Sequence, residues 1–250
     1  MPDLTNKIQN LREILKDVPN ANYQGLFWQP HELRLALNLS QDIFCQFVIK
    51  SKLFYLFSHL VTQTPVIPDN TVYWQVNQWQ PPPLLYPISA YICNPQTGAP
   101  IEIARIYFGD GLSYLEVGHS ACIIINNVIR FITSGPIRTG IPANGQLIYY
   151  RKPSPILIAS PDIAYMPNII PGFQYTDIDF DDQVYDSYII PYAVVILGMK
   201  EISTQRDFKY RLDYIKSIMG MPEDFANFIM DYEFTGDKTP TGRPPSAEVQ

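Results

Sequence analysis

FWQPHELRLALNLSQDIFCQF, residues 27–47, places two large aromatics before a proline and follows them with a long amphipathic pattern. Pro30 suits the first turn of a helix, where its missing N–H would have had no partner anyway. Gln29 then falls at the N-cap, a mediocre residue for that position. Trp28 precedes it and Leu33 takes the fourth helical position, the spacing of a hydrophobic staple. Glu32 in the first turn favours the helix dipole. Leu33, Leu37, Phe44 and Phe47 form one apolar stripe, and Leu35, Leu39 and Ile43 widen it. A helix apolar around most of its circumference belongs to a core.

Upstream, Leu4, Ile8, Leu11, Leu15 and Val18 repeat at helical spacing, which predicts a first helix that stops in the loop DVPNANYQG. Downstream the pattern changes from about Thr64. Prolines cluster, and short β-rich runs alternate with Gly, Asn and Pro. The strands expected are Val72–Val76, Ile88–Cys93, Ile101–Phe108, Ala121–Ile125, Val128–Thr133, Leu147–Tyr150 and Ile156–Ala159. IIINNVIRF reads as a hairpin with Asn126-Asn127 at its tip, since asparagine tolerates the positive φ of a tight turn.

Helix returns after TDIDFDD. Tyr185, Tyr188, Ile189, Tyr192, Ile196, Met199 and Ile202 are three or four apart, with Pro191 placed to kink or divide the run. The pattern resumes in Phe208, Leu212, Ile215 and Met219, and Gly220 closes it. Beyond it lie a short helical pattern and a Pro- and Gly-rich end. Phe225, Phe228, Ile229, Tyr232 and Phe234 are too apolar for a free tail, so they are expected to dock on a partner. The fold expected is α+β. A helical bundle of about four helices would be built from residues 1–62 and 161–221. An antiparallel β-module would be inserted over 63–160, and an extended docking tail would cover 222–250.

The composition bounds the function. The chain has 250 residues, 46% of them hydrophobic, enough for a real core. Charged residues are only 17%, below the usual proportion of about a quarter. Seventeen tyrosines and thirteen phenylalanines supply much of the remainder. Interface cores are depleted in Lys, Glu and Asp and enriched in aromatics, so a surface short of charge suits one covered by partners. The net charge of −6 comes with no basic run of the kind that grips a nucleic-acid backbone. Cys45, Cys93 and Cys122 are odd in number and far apart, which fits a reducing compartment better than a disulfide framework. No membrane span is expected: the most apolar helical stretch, Ile43 to Val61, holds Gln46, Lys50, Lys52 and His59.

The tempting chemistry is weak. Asp177, Asp179, Asp181 and Asp182 begin like a calcium loop, but Asp182 stands where the required glycine belongs and Tyr188 where the closing glutamate belongs. Helix capping by Asp181 or Asp182 is the better reading. His119 and Cys122 are three apart in a strand pattern, which points them to opposite faces. His31 and His59 form no metal spacing. GDKTPTG from Gly236 is similar to a phosphoryl-acceptor sequence of ion pumps, and its Pro-rich setting makes that a coincidence. No catalytic residue, metal site or cofactor is therefore expected.

The order of several motifs resembles the head-to-tail connector proteins of tailed bacteriophages. An early helix carries Trp28, Glu32, Leu37, Asn38 and Gln41; a later strand carries Tyr149, Tyr150, Arg151 and Pro153; a final helix carries Ile189, Tyr192, Ala193 and Lys200. The resemblance implies a structural virion protein at the portal–tail junction, assembled in the host cytoplasm into a ring of roughly twelve copies. Its implied partners are further copies of itself, the portal protein, the next neck or tail ring, and DNA passing through the lumen without sequence-specific binding. On this reading Phe27, Trp28 and Arg151 have a second expected task, as contacts between subunits. The rival expectation is a carbohydrate- or receptor-binding tail module with the β-region as its platform.

Overall fold

The computed structural model describes residues 11, 14–15, 28, 30–64, 66–68, 74–75, 83–94, 96–109, 119–125, 128–132, 144–154, 179–198 and 205–234. It is a mixed α and β protein that divides into two compact units. One takes the described residues up to 58 and from 153 onward; the other takes 59–152. The strands expected at Ile156–Ala159, the tail beyond 234 and Phe27 lie outside the described residues.

In the helical unit, helix α1 (Pro30–Ser51) begins at the proline, as its spacing predicts. Leu33, Leu37, Ile43, Phe44, Phe47 and Val48 are buried. Leu35 and Leu39 are not: Leu35 is 69% exposed, so the apolar stripe is narrower than the sequence suggests. Both sit on the side of the helix opposite buried Leu33, Leu37 and Phe44. Helix α1 ends at Ser51, well short of the stretch to Val61 that reads as helical. Lys52 turns left-handed (φ 57°), and the Leu53 N–H reaches back to the Val48 carbonyl at 3.0 Å. A 3₁₀ helix, Phe54–Leu60, leads on to the first strand.

The second helical segment starts with α2 (Asp182–Val184), continues through a π-helical turn, Tyr185–Ile189, and runs into α3 (Ile190–Gly198). Pro191 therefore does not divide the run. A proline ring clashes with the carbonyl four residues back in a regular α-helix, and the wider turn just before it relieves that crowding. The Ile190 N–H bonds the Tyr185 carbonyl, five residues back. Asp181 does stand at the N-cap, but its side chain makes no capping hydrogen bond; its backbone carbonyl instead accepts from Val184 at 2.9 Å. In the same acidic run Phe180 is buried, and buried Asp179 accepts the Ser154 N–H.

Helix α4 (Gln205–Met219) turns Phe208, Leu212 and Ile215 inward, and Gly220 ends it at φ 68°. Helix α5 (Glu223–Phe234) follows, with Phe225, Ala226 and Ile229 buried. This corrects the expectation of an extended docking tail for residues 223–234: they fold as a helix of the unit's own core. Phe44 is the hub. Its ring lies 5.3 Å from Phe180, 6.2 Å from Phe225 and 6.5 Å from Phe57, each edge to face. Each such pair adds about 0.5–1.5 kcal/mol beyond area burial. Two polar pairs fix the geometry around it. Gln41 Nε2 donates to the Tyr185 hydroxyl at 3.1 Å, and the Tyr192 hydroxyl donates to Glu233 Oε1 at 3.0 Å.

Burial raises the pKa of both phenols. Nearby Asp179 adds to the shift at Tyr185, and Glu233 adds to it at Tyr192. In the β-unit Tyr149 is raised by burial as well, against a lowering pull from Arg151. The folded state thus keeps protons that unfolded tyrosines release near pH 10. These groups favour folding below about pH 10, and that contribution is lost as pH rises further. Part of the phenolate absorbance should therefore be delayed to higher pH and appear together with the loss of circular dichroism. Ionisation of all seventeen tyrosines near pH 10 with unchanged dichroism would show that these hydroxyls are not buried.

The β-unit holds β1 (Val61–Gln63), β2 (Ile67–Pro68), β3 (Trp74–Gln75), β4 (Leu84–Cys93), β5 (Pro100–Phe108), β6 (Ala121–Ile125), β7 (Val128–Ile132) and β8 (Asn144–Arg151). The order is β1-β8-β4-β5-β6-β7-β3, with β2 also on β8. Neighbours are antiparallel except β5 and β6, which run parallel from Arg105↔Ala121 to Phe108↔Ile124. The expectation of a purely antiparallel module is corrected there: Phe108 and Ala121 are far enough apart in the chain for a crossover connection. The hairpin expected from IIINNVIRF forms, with Ile125 opposite Val128. Strand β5 is shared. Its first half pairs with β4 (Ala104↔Ala90, Ile103↔Tyr91), and its second half pairs with β6. Ala90, Ile92, Ala104, Cys122, Ile129, Phe131, Leu147 and Tyr149 fill the core of this unit. Phe131 packs directly on Gly145, where a Cβ would stand 2.0 Å from the ring.

Candidate interaction surface

The catalytic candidates separate in space. His119 is exposed and lies 3.5 Å from Arg105 through Nε2, while Cys122 is buried in the β core. Burial pushes the Cys122 thiol well above its usual range, away from the reactive thiolate. Among the described residues no group of His, Cys, Asp or Glu is placed to hold a metal ion. No described helix is long and apolar enough to cross a membrane.

The residues expected to meet partners divide unevenly. Phe225 and Ile229 are fully buried in their own unit, and Trp28 is buried as well. They are not available as docking side chains, because the aromatic core around Phe44 takes up Phe225 and helix α5 turns Ile229 inward. Phe228 and Tyr232 are half-buried and stack at 6.1 Å, with the Lys50 ammonium 5.5 Å above the Phe228 ring. Phe234 keeps an exposed edge and meets Phe208 at 5.2 Å. Arg151 is half-buried at the end of β8 and donates to the Lys152 carbonyl at 3.3 Å.

The residues that carry the connector resemblance are mostly interior. Leu37, Gln41, Tyr149, Ile189, Tyr192 and Ala193 are all buried. Tyr149 and Tyr150 fall on opposite faces of β8, as alternation requires, so only Tyr150 faces outward. These motifs describe how the chain packs more than what it touches.

Among the exposed described residues are several large apolar side chains. On α4, Tyr210, Tyr214 and Ile218 line up four apart on the outer side, and Arg206 donates to the Tyr210 hydroxyl at 3.3 Å. On α1, Leu35 and Leu39 make a similar pair. On the outer side of the sheet, Val61, Tyr150 and Tyr86 are successive register partners, and so are Gln146, Tyr91 and Ile103. Sequence reasoning missed the outward role of Ile101 and Ile103. The signal was present: in IEIARIYF, apolar residues occupy both alternating sets, more than a strand with one buried face needs.

No known protein family matches the chain, and comparison with characterised proteins found no match.

Proposed function

We propose that this chain is a structural ring protein of the portal–tail junction of a tailed bacteriophage, bridging the portal to the next ring and bounding the DNA channel. The observation that carries the reading is the order of its three motif blocks, around Trp28–Gln41, Tyr149–Pro153 and Ile189–Lys200. A charge-poor chain with exposed apolar side chains on α1, α4 and the sheet supports an assembled rather than a solitary protein. The net charge of −6 suits a wall that DNA passes without adhering.

The test is the light-scattering mass of the purified chain, alone and mixed with the portal ring encoded in the same genome. A stoichiometric complex is expected, with roughly twelve copies on the portal. No complex at micromolar concentrations would sink the adaptor reading.

A second reading has its own observation. Tyr86, Tyr91 and Tyr150 share the outer face of the sheet, and Tyr86 and Tyr150 are register partners. Aromatic faces of this kind stack on sugar rings, so a carbohydrate-binding tail module would use them. Titration with host-surface oligosaccharides, followed by tyrosine fluorescence, separates the two readings.

A further inference from the structure

We propose that copies of this chain join through the edges of the β-unit, the β1 edge of one copy adding as a strand to the β5 edge of the next. As the subunit contact of a ring, this rests on the reading above; its geometry is argued from the sheet alone.

In the order β1-β8-β4-β5, the two outer strands are β1 and the first half of β5. Their backbone polarity can be read from single hydrogen bonds. The Thr64 N–H donates to the Leu147 carbonyl at 2.9 Å, so Thr62 and Thr64 turn their backbone groups toward β8. By the alternation of an extended strand, Val61 and Gln63 turn theirs away from it. On β5, the Arg105 N–H donates to the Ser120 carbonyl at 2.9 Å, on the β6 side. Ile103, two residues back, points its N–H and carbonyl to that same side, away from β4.

The β6 ladder does not reach Ile103. Its register starts at Arg105↔Ala121. The Ser120 N–H, which would continue the parallel ladder to Ile103, instead faces the Glu102 carboxylate at 3.4 Å, while Ser120 Oγ donates to the same group at 3.2 Å. A carboxylate thus stands where the β6 ladder would continue, and among the described residues the first half of β5 is an edge. Among the described residues no strand lies beside Ile101–Ala104 on that side, or beside β1 on the side away from β8.

Soluble proteins usually blunt such edges with lysine, proline or inward charge, and β5 does carry Pro100 at its start and the Glu102 carboxylate. Between and beyond these, both edges still carry exposed apolar β-branched residues. Val61 is 50% exposed at one, and Ile103 is 71% exposed at the other, with Ile101 beside it. The outer rows Val61–Tyr150–Tyr86 and Gln146–Tyr91–Ile103 end in these residues, so a strand added at either edge continues an apolar row. A partner that pairs backbone to backbone must itself offer an open extended edge. Each copy offers two, on opposite sides of one sheet and of the same chemistry. Joining unlike edges gives a head-to-tail contact, the kind that closes into rings. That complementarity within one chain favours a second copy over a foreign peptide.

The test uses the full chain carrying Val61→Cys or Ile103→Cys, with a short bismaleimide as cross-linker. Cys45, Cys93 and Cys122 are buried and should contribute little background. The reaction is run on the chain alone and on the portal mixture. Mixing the two variants should give covalent dimer at least tenfold above either variant alone, and the double variant should give a ladder of higher species. Ile103→Pro, placed in a chain that carries Ile101→Cys, should abolish the cross-link that Ile101→Cys alone forms to Val61→Cys copies without lowering the Tm, because the N–H it removes points away from β4. If that variant fails to fold, Ile103→Lys serves in its place. No cross-link under either condition overturns the proposal. So does equal dimer from Ile103→Cys alone, which would mean like edges meet, and so does full association of the folded Pro or Lys variant. Edge cross-linking without portal binding would sink the adaptor reading and leave this contact standing. Portal binding without edge cross-linking would do the reverse.

Discussion

Phe225→Ala should destabilise the helical unit by about 3–5 kcal/mol, the range for deleting a fully buried aromatic ring. Phe225 has no exposed surface, and its ring meets Phe44 at 6.2 Å, Phe47 at 5.1 Å, Tyr188 at 5.4 Å and Tyr192 at 6.1 Å. Removing it opens a cavity where α1, the π-helical turn and α5 converge, and those rings cannot collapse into the space without leaving their edge-to-face geometry. Native stability totals only about 5–15 kcal/mol, so the expected outcome is a large fall in Tm or loss of the cooperative transition. Cutting the chain before residue 223 should do at least as much harm, since it also removes Ile229 and the Glu233 partner of Tyr192. Thermal melts followed by far-UV dichroism check both. A Phe225→Ala variant with unchanged Tm would mean that α5 docks loosely, as a tail would.

Gly145→Ala is expected to be the most damaging single-methyl change in the β-unit. The added Cβ would stand 2.0 Å from the Phe131 ring, nearer than any real contact, and the ring has nowhere to go because Phe131 is itself buried. Overpacking of this kind typically costs about 1–3 kcal/mol. Here the clash falls on the ring's inner carbon as well as its edges, so the upper end is expected. The contact also explains why a glycine stands at the second position of β8, opposite Ile92 and Ile67. A double-mutant cycle with Phe131→Leu measures the effect. The smaller, flexible side chain should recover part of the loss, with a coupling of about 0.5–3 kcal/mol. Strict additivity would show that Phe131 does not rest on Gly145.

Much of the fold is legible in the residues alone. Pro30, with helical spacing after it, starts α1 where the structure does. Gly220 ends α4 with the positive φ that glycine readily adopts, and IIINNVIRF forms its hairpin. These are local signals, set by φ preferences, capping and periodicity within about ten residues. The misreadings share a different cause. Leu35 and Leu39 look like core because the pattern shows that they are apolar, but not how many neighbours flank the helix. Phe225 and Ile229 look like docking residues because a Pro-rich end follows them. Pro191 looks like a break because the compensating π turn belongs to no sequence pattern. The candidate surface was only partly visible. The tyrosine step on α4 can be read directly, whereas the β5 edge depends on where β6 stops.

The sequence by itself determined that this chain is a mixed α and β protein, where most of its long elements begin and end, and that its aromatic richness would be used in packing. Those follow from backbone preference and hydrophobic period, which act at short range. Only the tertiary structure decided that β5 is shared between β4 and an unexpectedly parallel β6, that the Glu102 carboxylate faces the Ser120 N–H where the ladder stops, and that α5 closes the aromatic core around Phe44. Each is a choice among partners distant in the chain. It is settled by which side chains fit together and which backbone groups find a donor or acceptor, and residues near in sequence carry no record of either.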